Sequence, residues 1–582
     1  MHRFRVWAPK AERVRVQVDE RAFPMERTVG GWWEAVVEQA SPGSDYAYWL
    51  DDEERALPDP RSLWQPQGVH APSRIFDLGA FRWNDAAWQA PPLAGAIVYE
   101  LHIGTFTPEG TLDAAQQKLD GLKELGITHV ELMPVNAFAG QHGWGYDGVD
   151  LFAVHQPYGG PAALQRFVDA CHARGLAVLL DVVYNHLGPA GNYLGKFGPY
   201  FTSAHHTPWG DAVNLEDAGS HEVRRFFCDN ALMWLRDYHI DGLRLDAVHA
   251  YMDRSAIHFM EQLAAEVRAL EAETGRSYAV IAESDLNDPR IVTAPEAGGY
   301  GLDAQWSDDF HHALVTALTG DRNGYYADFG TLADLAKALH DVFVYDGRYS
   351  PYRDRIHGKA VRGLPGWRFL GYSQNHDQVG NRLKGERLIQ LTGVGRAKIA
   401  AALTMLAPFV PMIFEGEEWG ASSPFQFFTD HEPELGKLVS EGRRREFEGF
   451  GWDLREVPDP QAPETFEHSK LNWDERNIGE HAEMLAWYRQ LIALRKATPD
   501  LLDGDLDKVR VRFSQDEQWL AMERGQVTAA FSLAKKASEL AVRAGSNLAL
   551  ASDARVNLQG DKLTLPPDSI AILMERAPGT VQ

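Results

Sequence analysis

The sequence predicts a (β/α)8 barrel with a β-sandwich at each end. Three observations carry this. Eight short apolar runs recur between about residues 95 and 420. Helix-period patterns separate them, and period-two alternation marks both ends of the chain.

The first ninety or so residues read as strands. Phe4, Val6 and Ala8 alternate with polar or large residues, as do Val14, Val16 and Val18. Such alternation suits half-buried strands. Pro42-Gly43 and the stretch Pro58 to Pro66 mark turns, and Pro91-Pro92 marks a boundary. Residues 1–92 are therefore expected to form an immunoglobulin-like β-sandwich.

The barrel is expected over 93–503. Its apolar runs are Ile97–Phe106, Ile127–Val135, Ala177–Asn185, Gly242–Val248, Ala279–Ser284, Ala304–Asp309, Trp367–Asp377 and Val410–Glu418. Apolar runs without alternation suit strands buried on both faces. Leu164, Phe167, Val168 and Cys171 follow helical spacing, with Gly175 as a stop. Phe227, Ala231, Trp234, Leu235 and Tyr238 share a second helical face, and Met260, Leu263, Val267 and Leu270 a third. A doubly wound open sheet is the rival. The count of eight, and the absence of GxGxxG after the first run, favour the barrel.

The insertion 186–221 is rich in Gly, Pro, His and aromatics, with no clear helix. It is expected to hang above the barrel as a long functional loop. After the helix-like stretch Glu483–Lys496, alternation returns at Val509, Val511 and Phe513, and at Ile570, Ile572 and Met574. These give a C-terminal β-sandwich over 504–582.

Composition narrows the partners. A length of 582 residues suggests about four domains, and the large barrel lowers that to three. Lys and Arg total 57 against 82 Asp and Glu, a formal charge of −25. That excess argues against nucleic acid or an anionic membrane as partner. The two cysteines, Cys171 and Cys228, exclude a disulfide framework and a Cys-based zinc site, and suit a reducing compartment. The first residues lack the apolar stretch of a signal peptide. The run Ile399 to Phe414 is short and broken by Pro408 and Pro411, so it is not a membrane span. The expectation is a cytoplasmic protein. The loop pair His205-His206 has no third ligand and reads as polar packing; neither metal nor cofactor is expected. Arg443-Arg444-Arg445 reads as a solvated face or as partners of carboxylates.

Barrel enzymes carry their chemistry where strands end. The third run ends Asp181-Val-Val-Tyr-Asn185-His186, the fourth carries Arg244-Leu-Asp246, the fifth ends Ala282-Glu283-Ser284, and the seventh ends Asn375-His376-Asp377. Carboxylates on different strands, with two histidines and an arginine, converge on one face. This fits glycoside hydrolysis, in which a nucleophile and a protonated acid stand about 5–5.5 Å apart for retention. Neighbouring strands can place Asp246 and Glu283 so. Arg244, two residues from Asp246 on the same strand, faces the same way and is expected to hold it ionised. Glu283 needs a raised pKa to act as acid.

These four segments resemble, in order and spacing, the conserved regions of the α-amylase superfamily. The resemblance covers the whole chain, the N-terminal sandwich included. It implies Asp246 as nucleophile, Glu283 as acid/base and Asp377 as the third carboxylate, binding hydroxyls of the distorted −1 sugar. It also implies that Arg244 orients Asp246, that His186 and His376 bind sugar hydroxyls, and that Tyr146, in Trp144-Gly-Tyr-Asp147, stacks on the sugar. Further segments are similar to the maltooligosyltrehalose trehalohydrolase family: Ser373 to Arg382, Glu415 to Gly420 with Phe427 to His431, His206 to Gly210, and Gly324 to Gly330. Within these, Trp209 and Tyr325 are candidate sugar contacts, with loop packing as the alternative. The implied substrates are maltooligosyltrehalose and α-1,4-glucans, with trehalose as product. Branching enzymes share Trp144-Gly-Tyr-Asp147 but usually carry Ser-His-Asp-Glu where this chain has Asn375-His-Asp-Gln378. A branching enzyme and a silent glucan-binding barrel are the other readings.

Overall fold

Eight parallel strands close on themselves in chain order. The computed structural model describes residues 1–448 and 452–575. Its barrel strands are β1 (Val98–Leu101), β2 (His129–Leu132), β3 (Ala177–Val182), β4 (Gly242–Leu245), β5 (Ala279–Ala282), β6 (Ala304–Trp306), β7 (Phe369–Gly371) and β8 (Val410–Phe414). Each pairs with the next, and β8 returns to β1 with Met412 opposite Val98. Every strand lies inside one of the eight apolar runs, and the closed ring removes the open-sheet rival.

Alternation along these strands builds the lumen. Val98, Leu179, Ile281, Trp306, Leu370 and Met412 pack together inside the barrel. Their sequence neighbours Tyr99, Leu180 and Val280 face the helices and join the main core. Burying one such aliphatic side chain contributes about 1.5–3 kcal/mol. Side chains two apart share a face. Two residues beyond Val98, Leu179 and Ile281 stand Glu100, Asp181 and Glu283. The same period that fills the barrel bottom with hydrocarbon thus brings carboxylates to its C-terminal rim.

The helices follow the expected faces. In α1 (Gly160–Ala173), Leu164, Phe167, Val168 and Cys171 are buried. The left-handed φ of +70° at Gly175 suits the stop that follows. α2 (Ser220–Arg236) and α3 (Phe259–Thr274) bury the other two stripes. Among the described residues, no helix is long and apolar enough to cross a membrane. Cys171 and Cys228 are both free and buried.

At the N-terminus, strands from His2 to Arg74 form a three-stranded and a four-stranded antiparallel sheet. The segment after them runs along the barrel. Trp83 stacks on His239 at 3.8 Å and Trp88 on His172 at 4.6 Å. His172 bridges Asp85 at 2.8 Å and Asp241 at 2.9 Å, and Asp241 also accepts from Trp88 Nε1 at 2.7 Å. Burial opposes the charged forms here. Bonds from His172, His239 and Arg276 nevertheless hold Asp85 well below the usual carboxylate range, and Asp241 and Asp85 raise His172. A raised imidazole stabilises the fold below its ordinary pKa, and that contribution is lost as pH rises through the folded value. A lowered carboxylate stabilises above its ordinary pKa and loses that contribution in acid. The clasp is therefore tightest between the ordinary Asp and His ranges. His172→Phe is expected to cost about 3 kcal/mol in a urea titration. The variant's stability should also fall less than the native protein's between neutral and alkaline pH.

The insertion differs from expectation. It is not an irregular loop. It holds a short helix, Leu194–Phe197, then a hairpin of Phe201–Thr207 against Gly210–Val213, and α2 begins inside it at Ser220. The hairpin gave no alternating signal because neither face of its first strand is buried. A register shift between Thr202 and His206 obscures the period further. His205 pairs with Glu216 at 2.8 Å and His206 with Asp211 at 3.2 Å.

Beyond the barrel lie α4 (Pro433–Phe447) and α5 (Gly479–Ala497). Five-stranded and three-stranded antiparallel sheets follow, from Val509 to Glu575. Leu540, Leu563, Leu565, Ala571 and Leu573 pack in the core that they share.

Candidate active site

Arg244 is the hub. It projects inward from β4, is fully buried, and lies 4.2 Å above the Trp306 ring. Its Nη1 donates to Asp181 Oδ2 at 2.7 Å and to Asp246 Oδ1 at 2.8 Å. Its Nη2 is 3.6 Å from Glu283 Oε2. One guanidinium therefore touches carboxylates from three adjacent strands. Such an arrangement is tolerable in a buried lumen because the opposite charges compensate each other.

Asp246 follows β4 directly. Its second oxygen accepts from Asn185 Nδ2 at 2.7 Å. Burial would raise its pKa, but Arg244, His186 and Asn185 outweigh burial and hold it below the usual carboxylate range. Glu283 follows β5. Ala247 sits in the left-handed region at φ +40°, a strained conformation for a residue with a Cβ, and turns its N–H onto Glu283 Oε2 at 2.7 Å. Burial pushes Glu283 up; Arg244 opposes this, and Asp246, Asp308 and Asp377 add to it. The result is about 8. Two neighbouring carboxyls are thus driven apart, one kept ionised and the other kept protonated.

His376 and Asp377 open a short helix after β7, His376–Gly380. His376 Nδ1 lies 2.5 Å from Glu100 Oε1, and its Nε2 lies 2.8 Å from the Tyr146 hydroxyl. Burial opposes a charge there, but Asp377 and Glu100 raise the imidazole to about 9. The imidazolium donates from both nitrogens, which leaves the Tyr146 proton for Asp181 Oδ2 at 2.6 Å. The Tyr146 ring stacks on His376 at 5.1 Å. His186 Nε2 lies 3.0 Å from the Tyr146 carbonyl oxygen. Tyr146→Phe keeps the ring and removes a hydroxyl shared by two charged groups. A kcat loss on the order of tenfold to a hundredfold is expected from steady-state kinetics.

A cleft of about 1160 Å³ opens above these groups. Eight of the nine residues singled out from sequence line it: Tyr146, His186, Trp209, Asp246, Glu283, Tyr325, His376 and Asp377. Arg244 does not; it acts from beneath. Trp209 is half exposed and stacks flat on His186 at 4.5 Å. Tyr325 stacks on His312 at 5.1 Å. Both do pack in their loops, and both also face the cleft.

Three participants were not singled out. Asn185 and Asp181 stand in the strand-end segments with no role expected of them, and Glu100 stands within the first apolar run with none. The signal for Glu100 was present: it lies two residues after an inward-facing valine on β1. Among the described residues, no ion pair joins Glu417 or Glu418 to a cation. Glu417 accepts from Tyr488 at 2.7 Å and Glu418 from Tyr99 at 3.1 Å.

Comparison with known proteins extends this geometry. The catalytic-domain model of alpha amylase matches residues 74–201, and carbohydrate-binding module 48, the isoamylase N-terminal domain, matches residues 1–63. A Salmonella typhimurium crystal structure superposes with TM-score 0.90 at 37% identity, covering 98% of this chain and 97% of that one. The barrel and its strand-end carboxylates define a glycoside hydrolase of the alpha-amylase class. The malto-oligosyltrehalose trehalohydrolase of Rhizobium sp. (strain M-11) is 52% identical over 98% of both chains. A 1,4-alpha-glucan branching enzyme of Bacillus caldolyticus is 32% identical over 62% of this chain. The chain belongs to the malto-oligosyltrehalose trehalohydrolase family.

Proposed function

We propose that this protein hydrolyses the α-1,4 bond next to the trehalose end of maltooligosyltrehalose, with retention. The observation that carries the mechanism is the divergence of Asp246 and Glu283 around one guanidinium. Asp246, ionised, attacks the anomeric carbon of the glucose before trehalose. The C1–O bond to trehalose breaks as Glu283 gives its proton to the leaving oxygen. A bond from C1 to an Asp246 oxygen forms. Water then attacks C1, its proton passes to Glu283, and the Asp246 carboxylate is released. Asp377 holds hydroxyls of the reacting sugar, and His186, His376 and Tyr146 shape its site. No step calls for a cofactor.

Product chromatography after incubation with maltooligosyltrehalose tests the substrate. Free trehalose and a shortened maltooligosaccharide are expected. New α-1,6 branches on amylose, with no trehalose, would instead make the chain a branching enzyme. Proton NMR of the first turnovers tests the stereochemistry. The new reducing end should appear as the α-anomer, and an initial β-anomer would reject the double displacement.

A further inference from the structure

The basic run on α4 is not one surface. Arg444 and Arg445 are exposed, whereas the Arg443 side chain is only 9% exposed. It points from α4 into the wall of the cleft. Its guanidinium is 4.9 Å from the Phe427 ring and 4.5 Å from Phe447. Its Nη2 donates to the Gly380 carbonyl at 2.5 Å. Its Nη1 donates to Asn381 Oδ1 at 2.7 Å and to Glu446 Oε2 at 3.1 Å. Neither solvation nor a lone carboxylate partner describes it.

Asn381 caps the short helix that begins with His376 and Asp377. Its backbone N–H donates to the Asp377 carbonyl at 2.9 Å, and its Nδ2 donates to Asp377 Oδ1 at 3.2 Å. A guanidinium can only donate. Asn381 must therefore turn its oxygen to Arg443, and its amide nitrogen then faces Asp377. If the amide were reversed, oxygen would meet carboxylate. The other Asp377 oxygen lies 3.6 Å from His376 Nε2, and its side chain is 44% exposed, towards the cleft.

We propose that Arg443 is a positioning residue for Asp377. It fixes the Asn381 amide, and that amide holds one oxygen of the third carboxylate while the other meets the sugar. The chain Arg443–Asn381–Asp377 links α4 to the reacting centre. This rests on the reading that Asp377 binds the reacting sugar.

A kinetic cycle tests it with Arg443→Met, Asn381→Ala, the double variant, and Asp377→Ala as reference, all on maltooligosyltrehalose. Methionine keeps the length and the ring contacts but donates nothing. Each single variant should lower kcat on the order of tenfold to a hundredfold, with KM moving less than about threefold, since only the aim of a transition-state contact is lost. The double variant should be no slower than Asn381→Ala, within about twofold. Multiplying losses would overturn the inference, because Arg443 would then act on its own; so would a rise in KM with kcat unchanged. If Arg443→Met does not fold, Arg443→Lys replaces it. Lysine cannot reach both acceptors with one fork, so kcat should be intermediate, and again no further loss should appear on the Asn381→Ala background. The reference separates the two readings. An active Asp377→Ala overturns the role of Asp377 itself. An inactive one with a multiplicative cycle overturns only the role of Arg443.

Discussion

Asp246→Asn is expected to lower kcat by on the order of 10⁴-fold or more, the scale on which loss of a nucleophile is felt. Asparagine keeps the volume, so the cleft and substrate binding should persist. Two physical changes act together. The attacking oxygen becomes an uncharged amide oxygen. The negative charge that helps to raise Glu283 also disappears, so Glu283 should titrate lower and the acid should be less often protonated. A fixed amide beside both Arg244 and Asn185 must moreover present a donor to one of two donors. Single-turnover measurements of trehalose release, with calorimetric binding of substrate, check this. A variant that turns over at near-native rate would reject Asp246 as nucleophile.

Glu283→Gln should cost on the order of 10²- to 10⁴-fold in kcat with the natural substrate, because trehalose is a poor leaving group without a proton. With an aryl glycoside whose phenol leaves unaided, the loss of the first step should be much smaller. The pH profile carries the same assignment. The acid must be protonated, so kcat/KM of the native protein should fall as pH rises through about 8. The nucleophile must be ionised and its pKa is lowered. The acid limb should therefore lie below the usual carboxylate range, and the profile should be broad. In Glu283→Gln the alkaline limb should vanish. An unchanged alkaline limb would mean that another group supplies the proton.

Particular residues show how much of this was legible in one dimension. The eight barrel strands were, because burial on both faces requires uninterrupted apolar runs, and such runs survive as text. Asp246, Glu283 and Asp377 were, because strand ends are where a barrel exposes side chains. The hairpin that carries His205 and His206 was not, since neither side of its first strand is buried and alternation has nothing to record. Glu100 was legible in principle, as the inward partner of Val98. Asn185 was visible as a residue but not as a donor to Asp246, 61 positions away.

The sequence by itself determined the barrel, the β-sheets at both ends and which carboxylates stand at the strand ends, because local periodicity encodes burial and strand order encodes which ends converge. Only the tertiary structure decided what those carboxylates are. The spacing Arg244-Leu-Asp246 suggests an ionised Asp246, but nothing in the chain near Glu283 shows what would raise it. One is held ionised by Arg244 and Asn185, and the other is raised by burial and by its neighbours. Arg443 likewise looks like its two basic neighbours in sequence, and burial against Asn381 separates it from them. The physical reason is common to these cases. Ionisation and hydrogen-bond direction depend on dielectric and on partners brought close by folding, and beyond the spacing Arg244-Leu-Asp246 no local pattern records them.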